Sequence, residues 1–420
     1  MVGNSVAAIA AVETIRNHDC NSEVIIISDE PYPAYSRPLL TYVLAGKVSR
    51  DSIFYRNNNF YDKNKVKTIL GIKASSLNTK EKSITLIDGE KIHFDKLLIS
   101  TGGKPIYPNI KGRELNGVFT FTKLDDLKRI LSYIDRYKVK EAIVVGGGLI
   151  GLKTAEALMA LKIKVFIVEL ADRILSSTFD KKASRIIEQN LRKIGCEVDT
   201  ENTVSEIKGK ERVSAVTLKD GRKLSCDMLV FAIGVTPNIE IIKNTDIKTN
   251  RGILVDRHMQ TNIPDIYAAG DVAEGPDLIL GGTRPIAIWP NAYRQGSVAG
   301  SNMAGIPIEY MGGIAMNSIE LCNIPTISMG LTDPKGDEYE IIEYCNDENL
   351  VYKKIVLKEN NIVGVIFINN IDRAGIYRGL IVDRVDASSF KDNILKEDFG
   401  LLSLPKEYRK HLVSGPGVEV

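Results

Sequence analysis

The chain has 420 residues, 44% hydrophobic and 26% charged, a globular balance that excludes a disordered or fibrous protein. Lys and Arg total 55 against 53 Asp and Glu, with no basic block, which argues against a nucleic-acid binder that relies on phosphate contacts. The apolar runs, such as residues 142–152, fall short of the roughly 20 residues a membrane span needs, and residues 1–16 lack the basic leader and cleavage-type site of a signal peptide.

Taken in chain order, Met1-Val2 runs straight into 3-GNSVAAIAAVETIR-16, a degenerate glycine turn opening a helix, and then into the apolar strand 24-VIIIS-28. Gly3-x-Ser5-x-x-Ala8 tolerates Ser5 at the second position if its side chain turns away or bonds a phosphate, and Ala8 still permits close packing. Only two residues precede this turn, where a strand usually has about five. The expectation is a short or frayed first strand, from a shortened chain or one whose start lies upstream, and a longer chain that retains its cofactor better. A proline-rich loop, 31-PYPAYSRPLL-40, carries Arg37, whose fork of donors suits a pyrophosphate or else marks a surface turn. The strand 97-LLISTGG-103 again ends in glycines.

The clearest unit is 142-AIVVGGGLIGLKTAEALMALKIKVFIVELADRIL-175. An apolar strand meets Gly146-x-Gly148-x-x-Gly151, a helix follows, and a second strand, 165–168, ends at Glu169. The first glycine permits the tight turn, Gly148 lets a pyrophosphate approach the backbone, and Gly151 lets helix and strand pack closely. The helix N-terminus offers free N–H groups to phosphates. Glu169 would accept hydrogen bonds from the adenosine ribose hydroxyls and repel a 2′-phosphate, favouring NADH over NADPH, although Arg173 nearby keeps NADPH open. Short strands at 204–207, 213–218 and 223–225, with an Asp220-Gly221 turn, close on 228-MLVFAIG-234.

Farther on, 265-DIYAAGDVAE-274 places Asp271 after a strand and at an expected helix start, as a ribityl-binding carboxylate or a plain cap. The run 288-IWPNAYRQGSVAGSNMAG-305 starts a helix at Pro290, whose positive end would favour a reduced flavin. From about residue 310 the texture becomes alternating strands, 338–345, 351–358 and 362–369, with Asn360-Asn361 as a turn, then a helical tail. The five cysteines, Cys20, Cys196, Cys226, Cys322 and Cys345, are widely spaced and form no CxxC pair; with only four scattered histidines, no metal centre is expected. Unpaired thiols fit a reducing cytosol, so a cytoplasmic location is expected.

Two glycine-turn βαβ units about 140 residues apart read as two nucleotide-binding domains, one interrupted by the other. The fold expected is α/β: two Rossmann-like, three-layer ββα domains, followed by a C-terminal α+β domain with an antiparallel sheet. The expected boundaries are 1–105 with 235–308 for one nucleotide-binding domain, 106–234 for the other, and 309–420 for the last domain.

Together these motifs resemble the pyridine nucleotide–disulfide oxidoreductases, in order and over nearly the whole chain. SRPLL, WPNAxxQG and 315-AMNSIEL-321 are similar to the branch of rubredoxin reductases, ferredoxin reductases and the flavin domain of nitrite reductase. The resemblance implies FAD in the domain of 1–105 with 235–308 and NAD(P)H in that of 106–234. FAD would be held by Gly3, Ser5, Ala7, Ala8, Asp29, Glu30, Arg37, Ala74, Thr101, Gly102, Gly234, Asp271, Pro290 and Ala292. The resemblance also implies NADH held by Gly146, Gly148, Leu149, Ile150, Gly151 and Glu169, with hydride passing to flavin N5 and electrons leaving to an acceptor. It further implies that the C-terminal domain covers the flavin and offers a homodimer surface or an acceptor platform. The departures carry as much weight. Tyr42 stands where the peroxidase and oxidase branch keeps a reactive cysteine, and Lys153 stands where many relatives have a glutamate. Tyr42 and Lys153 are therefore expected to approach each other near the nicotinamide–flavin contact, gating the ring or balancing charge; the alternative is a helix lysine reaching solvent. With no thiol relay, the expected activity is an FAD-dependent NAD(P)H oxidoreductase feeding a rubredoxin- or ferredoxin-like carrier or a partner subunit. A hydrogen peroxide-forming NADH oxidase and a non-catalytic FAD- and NAD-binding assembly subunit remain open.

Overall fold

The computed structural model describes residues 1–413, and the chain divides into two compact units. The first comprises residues 1–172 and 195–313; the second comprises 173–194 and the chain from Ile314 onward.

The first unit holds two parallel sheets. In one, Val24–Ser28 pairs with Val66–Leu70 and Leu97–Ile99 pairs with Ile266–Ala268. Val2 bridges Ile27 on one side and Ile99 on the other, so one residue stands where a central strand would run. It is short but not frayed: Val2 N donates to Leu98 O at 2.9 Å, Ile27 N to Met1 O at 2.9 Å, and Gly3 N to Ile27 O at 2.8 Å. The helix Val6–His18 buries Ala8 to Val12 completely because small and β-branched residues leave little side chain between it and its neighbours. Its main neighbour is the helix Trp289–Met303. A Cβ on Gly296 would stand 2.1 Å from Ala7 O, so the two backbones touch with nothing between them.

The other sheet is five parallel strands in the spatial order Glu197–Asp199, Lys164–Val168, Glu141–Val145, Met228–Phe231 and Val118–Thr120. The central strand, Glu141–Val145, has later strands on both sides, which puts a topological switch point at its carboxyl end. Each parallel sheet is accompanied by a three-stranded antiparallel one: Ala74–Asn78, Ser83–Leu86 and Lys91–His93 in the first case, Val204–Gly209, Val213–Leu218 and Lys223–Ser225 in the second. The Asp220-Gly221 turn stands as expected between the last two strands, with Gly221 at φ +89°.

The second unit is built on a five-stranded antiparallel sheet in the order Met316–Leu321, Ile324–Gly330, Asn361–Ile368, Val351–Lys358 and Tyr339–Asn346. The expected Asn360-Asn361 turn lies one residue earlier: Glu359 and Asn360 take φ of +50° and +59°, and Asn361 already pairs with Lys358. The helix Lys181–Lys193 belongs to this unit. Its cap, Asp180, accepts from Ala183 N at 3.0 Å, from the Tyr352 hydroxyl at 2.7 Å and from Lys354 Nζ at 2.8 Å, all buried. No helix among the described residues is long and apolar enough to cross a membrane.

Candidate functional site

Each glycine turn sits at the carboxyl end of its sheet. Gly3 and Gly146 both take φ +111°, a backbone conformation that a side chain disfavours, and both are sealed from below. A Cβ on Gly3 would meet Ser100 O at 2.1 Å, and one on Gly146 would meet Ala232 O at 2.4 Å. Gly151 closes the second turn, since its Cβ would stand 1.9 Å from Gly146 O. Gly148, the N-cap of the helix Leu149–Ala160, has nothing within 4 Å of where a Cβ would be. That open space above free helical N–H groups is where a phosphate can reach the backbone. Ile150, by contrast, is exposed and Leu149 half-buried at the same turn.

Around the first turn the chain gathers several of the sequence candidates. Ser5 caps the first helix without a side-chain cap bond, leaving its hydroxyl uncommitted there. A Cβ on Gly270 would stand 3.4 Å from Ala7 Cβ and 3.6 Å from Ala292 Cβ, so the first helix, the loop before Asp271 and the helix started by Trp289 and Pro290 converge on one place. Asp271 differs from expectation locally. It opens a turn into the short strand Ala273–Pro276, not a helix, because the next helix begins only at Trp289. Its carboxylate accepts no hydrogen bond among the described residues; burial pushes it above the usual carboxylate range, and the Arg37 charge opposes that rise. Ala8 and Ala74 are core positions, with Ala74 in the strand Ala74–Asn78.

The acidic pair after the strand Val24–Ser28 is engaged by the protein itself. Glu30, buried, accepts from the Tyr35 hydroxyl at 2.6 Å and from Arg37 Nη2 at 2.6 Å. Arg37 also donates through Nη1 to Thr122 O at 2.9 Å, so the guanidinium is aimed by two partners. Asp29 pairs with Lys123 Nζ at 2.8 Å. Thr101 Oγ1 donates to Asn238 O at 2.7 Å and Asn238 N to Gly102 O at 2.8 Å. Asn238 Oδ1 is buried without a hydrogen-bond partner among the described residues. Gly234, at φ +103°, accepts from Ile106 N at 3.0 Å, beside the antiparallel pair of Gly103–Pro105 with Val235–Pro237. In the second turn Glu169 accepts from Gly147 N and, at 2.7 Å, from Ala171 N. These bonds fix the carboxylate against the glycines while its remaining lone pairs can still accept.

The structure also brings Tyr42 and Lys153 together. Lys153 Nζ lies 5.1 Å from the centroid of the Tyr42 ring, a cation–π contact, and only 8% of the residue is exposed. A shallow pocket here is lined by Thr41, Tyr42, Ala45, Lys47, Lys153 and Glu156. Sequence reading missed Glu156, which forms an ion pair with Lys153 three residues back on one helix; that i, i+3 spacing was the available signal. Tyr35, Thr122 and Lys123, which aim Arg37, Glu30 and Asp29, were also missed, and nothing local in the sequence marks them. The thiols lie elsewhere: Cys196, Cys226 and Cys322 are buried, and Cys20 and Cys345 are exposed. Burial pushes the Cys226 thiol up to about 12.

The arrangement fits FAD and NADH on its own terms. It has two sealed glycine turns, open space at Gly148, and at Asp271 a half-buried carboxylate that accepts no hydrogen bond among the described residues and feels the Arg37 charge. Residues 1–296 match the family model described as pyridine nucleotide-disulphide oxidoreductase, and residues 316–385 match one described as the rubredoxin NAD+ reductase C-terminal domain. The chain is 30% identical over 398 residues to the NADH-dependent phenylglyoxylate dehydrogenase subunit epsilon of Aromatoleum evansii, covering 94% of each. It is also 30% identical to a nitrite reductase [NAD(P)H] of Bacillus subtilis over 92% of this chain, but spans only 47%, about half, of that relative. Among solved structures, NADH:rubredoxin oxidoreductase from Clostridium acetobutylicum superposes with a TM-score of 0.75 at 27% identity, covering 93% of this chain and 96% of that one.

Proposed function

The chain belongs to the pyridine nucleotide-disulphide oxidoreductase family, and we propose that it is an FAD-dependent NADH oxidoreductase passing electrons to a redox carrier protein or a partner subunit without a thiol. The observation that carries the reading is the pair of sealed glycine turns at the carboxyl ends of two separate parallel sheets. One turn has the half-buried Asp271, without a hydrogen-bond donor among the described residues, in the same unit, and the other has Glu169 fixed against it. FAD, when bound, takes up a hydride and releases its electrons singly. In this reading residues 1–105 and 235–308 hold FAD, 106–234 hold NADH, and 309–420 form an interface for a carrier, a partner or a second copy.

In this reading the chain's own residues contribute as follows. The Gly3 turn and the first helix take the FAD pyrophosphate on backbone N–H groups, assisted by Arg37, which Glu30 and Thr122 hold in place. Asp271 accepts from a ribityl hydroxyl, which supplies the hydrogen bond its carboxylate lacks. The helix Trp289–Met303 has Pro290 in its first turn and no side-chain cap, so its positive end is left to face negative charge. Gly148 and the N–H groups after it receive the NADH pyrophosphate, and Glu169 accepts from the ribose while repelling a 2′-phosphate. Tyr42, held by Lys153, occupies the place of a redox cysteine, and its phenol cannot form a disulfide. The relatives whose names mention rubredoxin and a dehydrogenase subunit support a protein acceptor. Titration of FAD into the purified chain, followed by anaerobic mixing with NADH and with NADPH, tests the reading. One FAD per chain, bleached faster by NADH, is expected; absence of FAD binding overturns it.

A further inference from the structure

We infer that Glu156 is the positioning residue of the Tyr42–Lys153 pair: it anchors the Lys153 ammonium over the Tyr42 ring and cancels its charge next to the flavin. The inference rests on the proposed function together with the expectation that this pair stands beside the flavin–nicotinamide contact. Lys153 and Glu156 stand one turn apart on the helix Leu149–Ala160, and their side chains are only 10% and 15% exposed. An ammonium so far withdrawn from water needs a counter-charge, and the face of a phenol ring alone offsets only a small part of its desolvation. Glu156 supplies that charge. It also bears on which way the long lysine stem points, one turn away on the same helix. Were the lysine to move, Tyr42 would lose the group lying over its ring, and the ring would no longer be held against this helix. A second ammonium, Lys47 Nζ, lies 6.0 Å from the same ring centroid and is exposed. Being exposed, it does not replace a buried ion pair.

The pair has an electrical consequence distinct from its mechanical one. Intact, Lys153 and Glu156 add no net charge. Removing the carboxylate leaves a positive charge, and removing the ammonium leaves a negative one. These single losses must move the flavin midpoint potential in opposite directions, since positive charge favours the electron-rich reduced ring and negative charge disfavours it. A purely structural staple has no such sign.

The test compares Glu156→Gln, Lys153→Met and the charge-swapped double variant Lys153→Glu/Glu156→Lys, with Glu156→Asp as the conservative variant. The readouts are the flavin midpoint potential, the thermal midpoint of the FAD-free protein, and stopped-flow flavin reduction by NADH. Glu156→Gln should raise the potential and Lys153→Met should lower it. The swap should return potential and thermal midpoint towards wild type, yet its flavin reduction should stay slow because a carboxylate now faces the ring. Glu156→Gln should slow flavin reduction at saturating NADH by about ten-fold, with half-saturating NADH changed by less than about two-fold. Glu156→Asp should recover most of that rate. Potentials that stay put or move in the same direction, with a lowered thermal midpoint, overturn the inference and reduce the pair to a staple. Failure of the wild-type chain to bind FAD or to be reduced by NADH overturns the underlying reading instead, and is seen before any variant is compared.

Discussion

Replacing Gly296 with alanine probes the helix crossing on which the proposed FAD cradle depends. The new Cβ would stand 2.1 Å from Ala7 O and 2.8 Å from both Ala7 C and Ala7 Cα, all of them backbone. Ordinary contact begins at 3.4 Å, so the helices Val6–His18 and Trp289–Met303 must separate by roughly 1 Å. Overpacking of this kind costs about 1–3 kcal/mol, and here the clash is with backbone that cannot rotate away. With the cost at the upper end of that range, about 3 kcal/mol, and alanine recovering about 1 kcal/mol of helix propensity, the net loss is about 2 kcal/mol. At about 2–4 °C per kcal/mol, Tm of the FAD-free protein should fall by about 4–8 °C. Because Ala7 and Ala292 flank the Gly270 turn, separating the helices also opens the cradle. FAD should bind about ten-fold more weakly for every 1.4 kcal/mol or so by which the wider cradle holds it less well. Gly300→Ala, whose nearest backbone atom is Ala11 O at 2.6 Å, should do less. Gly375→Ala, with nothing within 4 Å, should be neutral or slightly stabilising. Differential scanning fluorimetry and flavin-fluorescence titration read both effects. A Gly296→Ala protein as stable as wild type, or a reversed order among the three, would refute this reasoning.

Burial holds the Asp271 carboxyl above its ordinary range, so the stability linked to this group is present below the unfolded value of about 3.9 and lost as pH rises through the raised one. Asp271→Asn should therefore make the FAD-free protein more heat-resistant at pH 8 than wild type, while weakening FAD binding; thermal melts from pH 4 to 8 check the sign. In the second unit, Lys354→Met leaves buried Asp180 without its cation and should cost about 3–5 kcal/mol, much of it recovered by adding Asp180→Asn, as read by urea midpoints. A colorimetric thiol reagent at pH 8 should label exposed Cys20 and Cys345 quickly and leave buried Cys226, with its thiol near 12, untouched. Flavin reduction by NADH should be unchanged by that labelling.

The parts of the fold that were legible in the sequence are those fixed by local chemistry. The Gly146–Gly151 turn needs a positive φ and a close helix approach, and both requirements are visible as glycines at fixed spacing. The Asp220-Gly221 hairpin and the antiparallel strands between Tyr339 and Ile368 announce themselves through turn residues and alternation, whereas the strands Met316–Leu321 and Ile324–Gly330 were not read. Asp271 was placed next to a helix that begins 18 residues later, because a carboxylate after a strand reads alike before a cap and before a turn into another strand. The Glu359-Asn360 turn was missed by one residue because either adjacent pair includes an asparagine suited to positive φ. The network that aims Arg37 was invisible for another reason. Tyr35 and Glu30 are near Arg37 in sequence, but Thr122 and Leu124, which complete it, are more than 80 residues away. Glu156 lay within reach of pattern reading, but only once Lys153 was taken as a buried cation.

The most direct measurement is anaerobic double-mixing stopped flow: FAD-loaded protein is reduced by NADH, then challenged with a rubredoxin- or ferredoxin-type carrier or with oxygen, and flavin absorbance is followed. The thiol-free carrier reading predicts reduction by NADH ahead of NADPH, followed by reoxidation much faster with a carrier than with oxygen. Fast reoxidation by oxygen alone, with hydrogen peroxide accumulating and no carrier accepted, would contradict it.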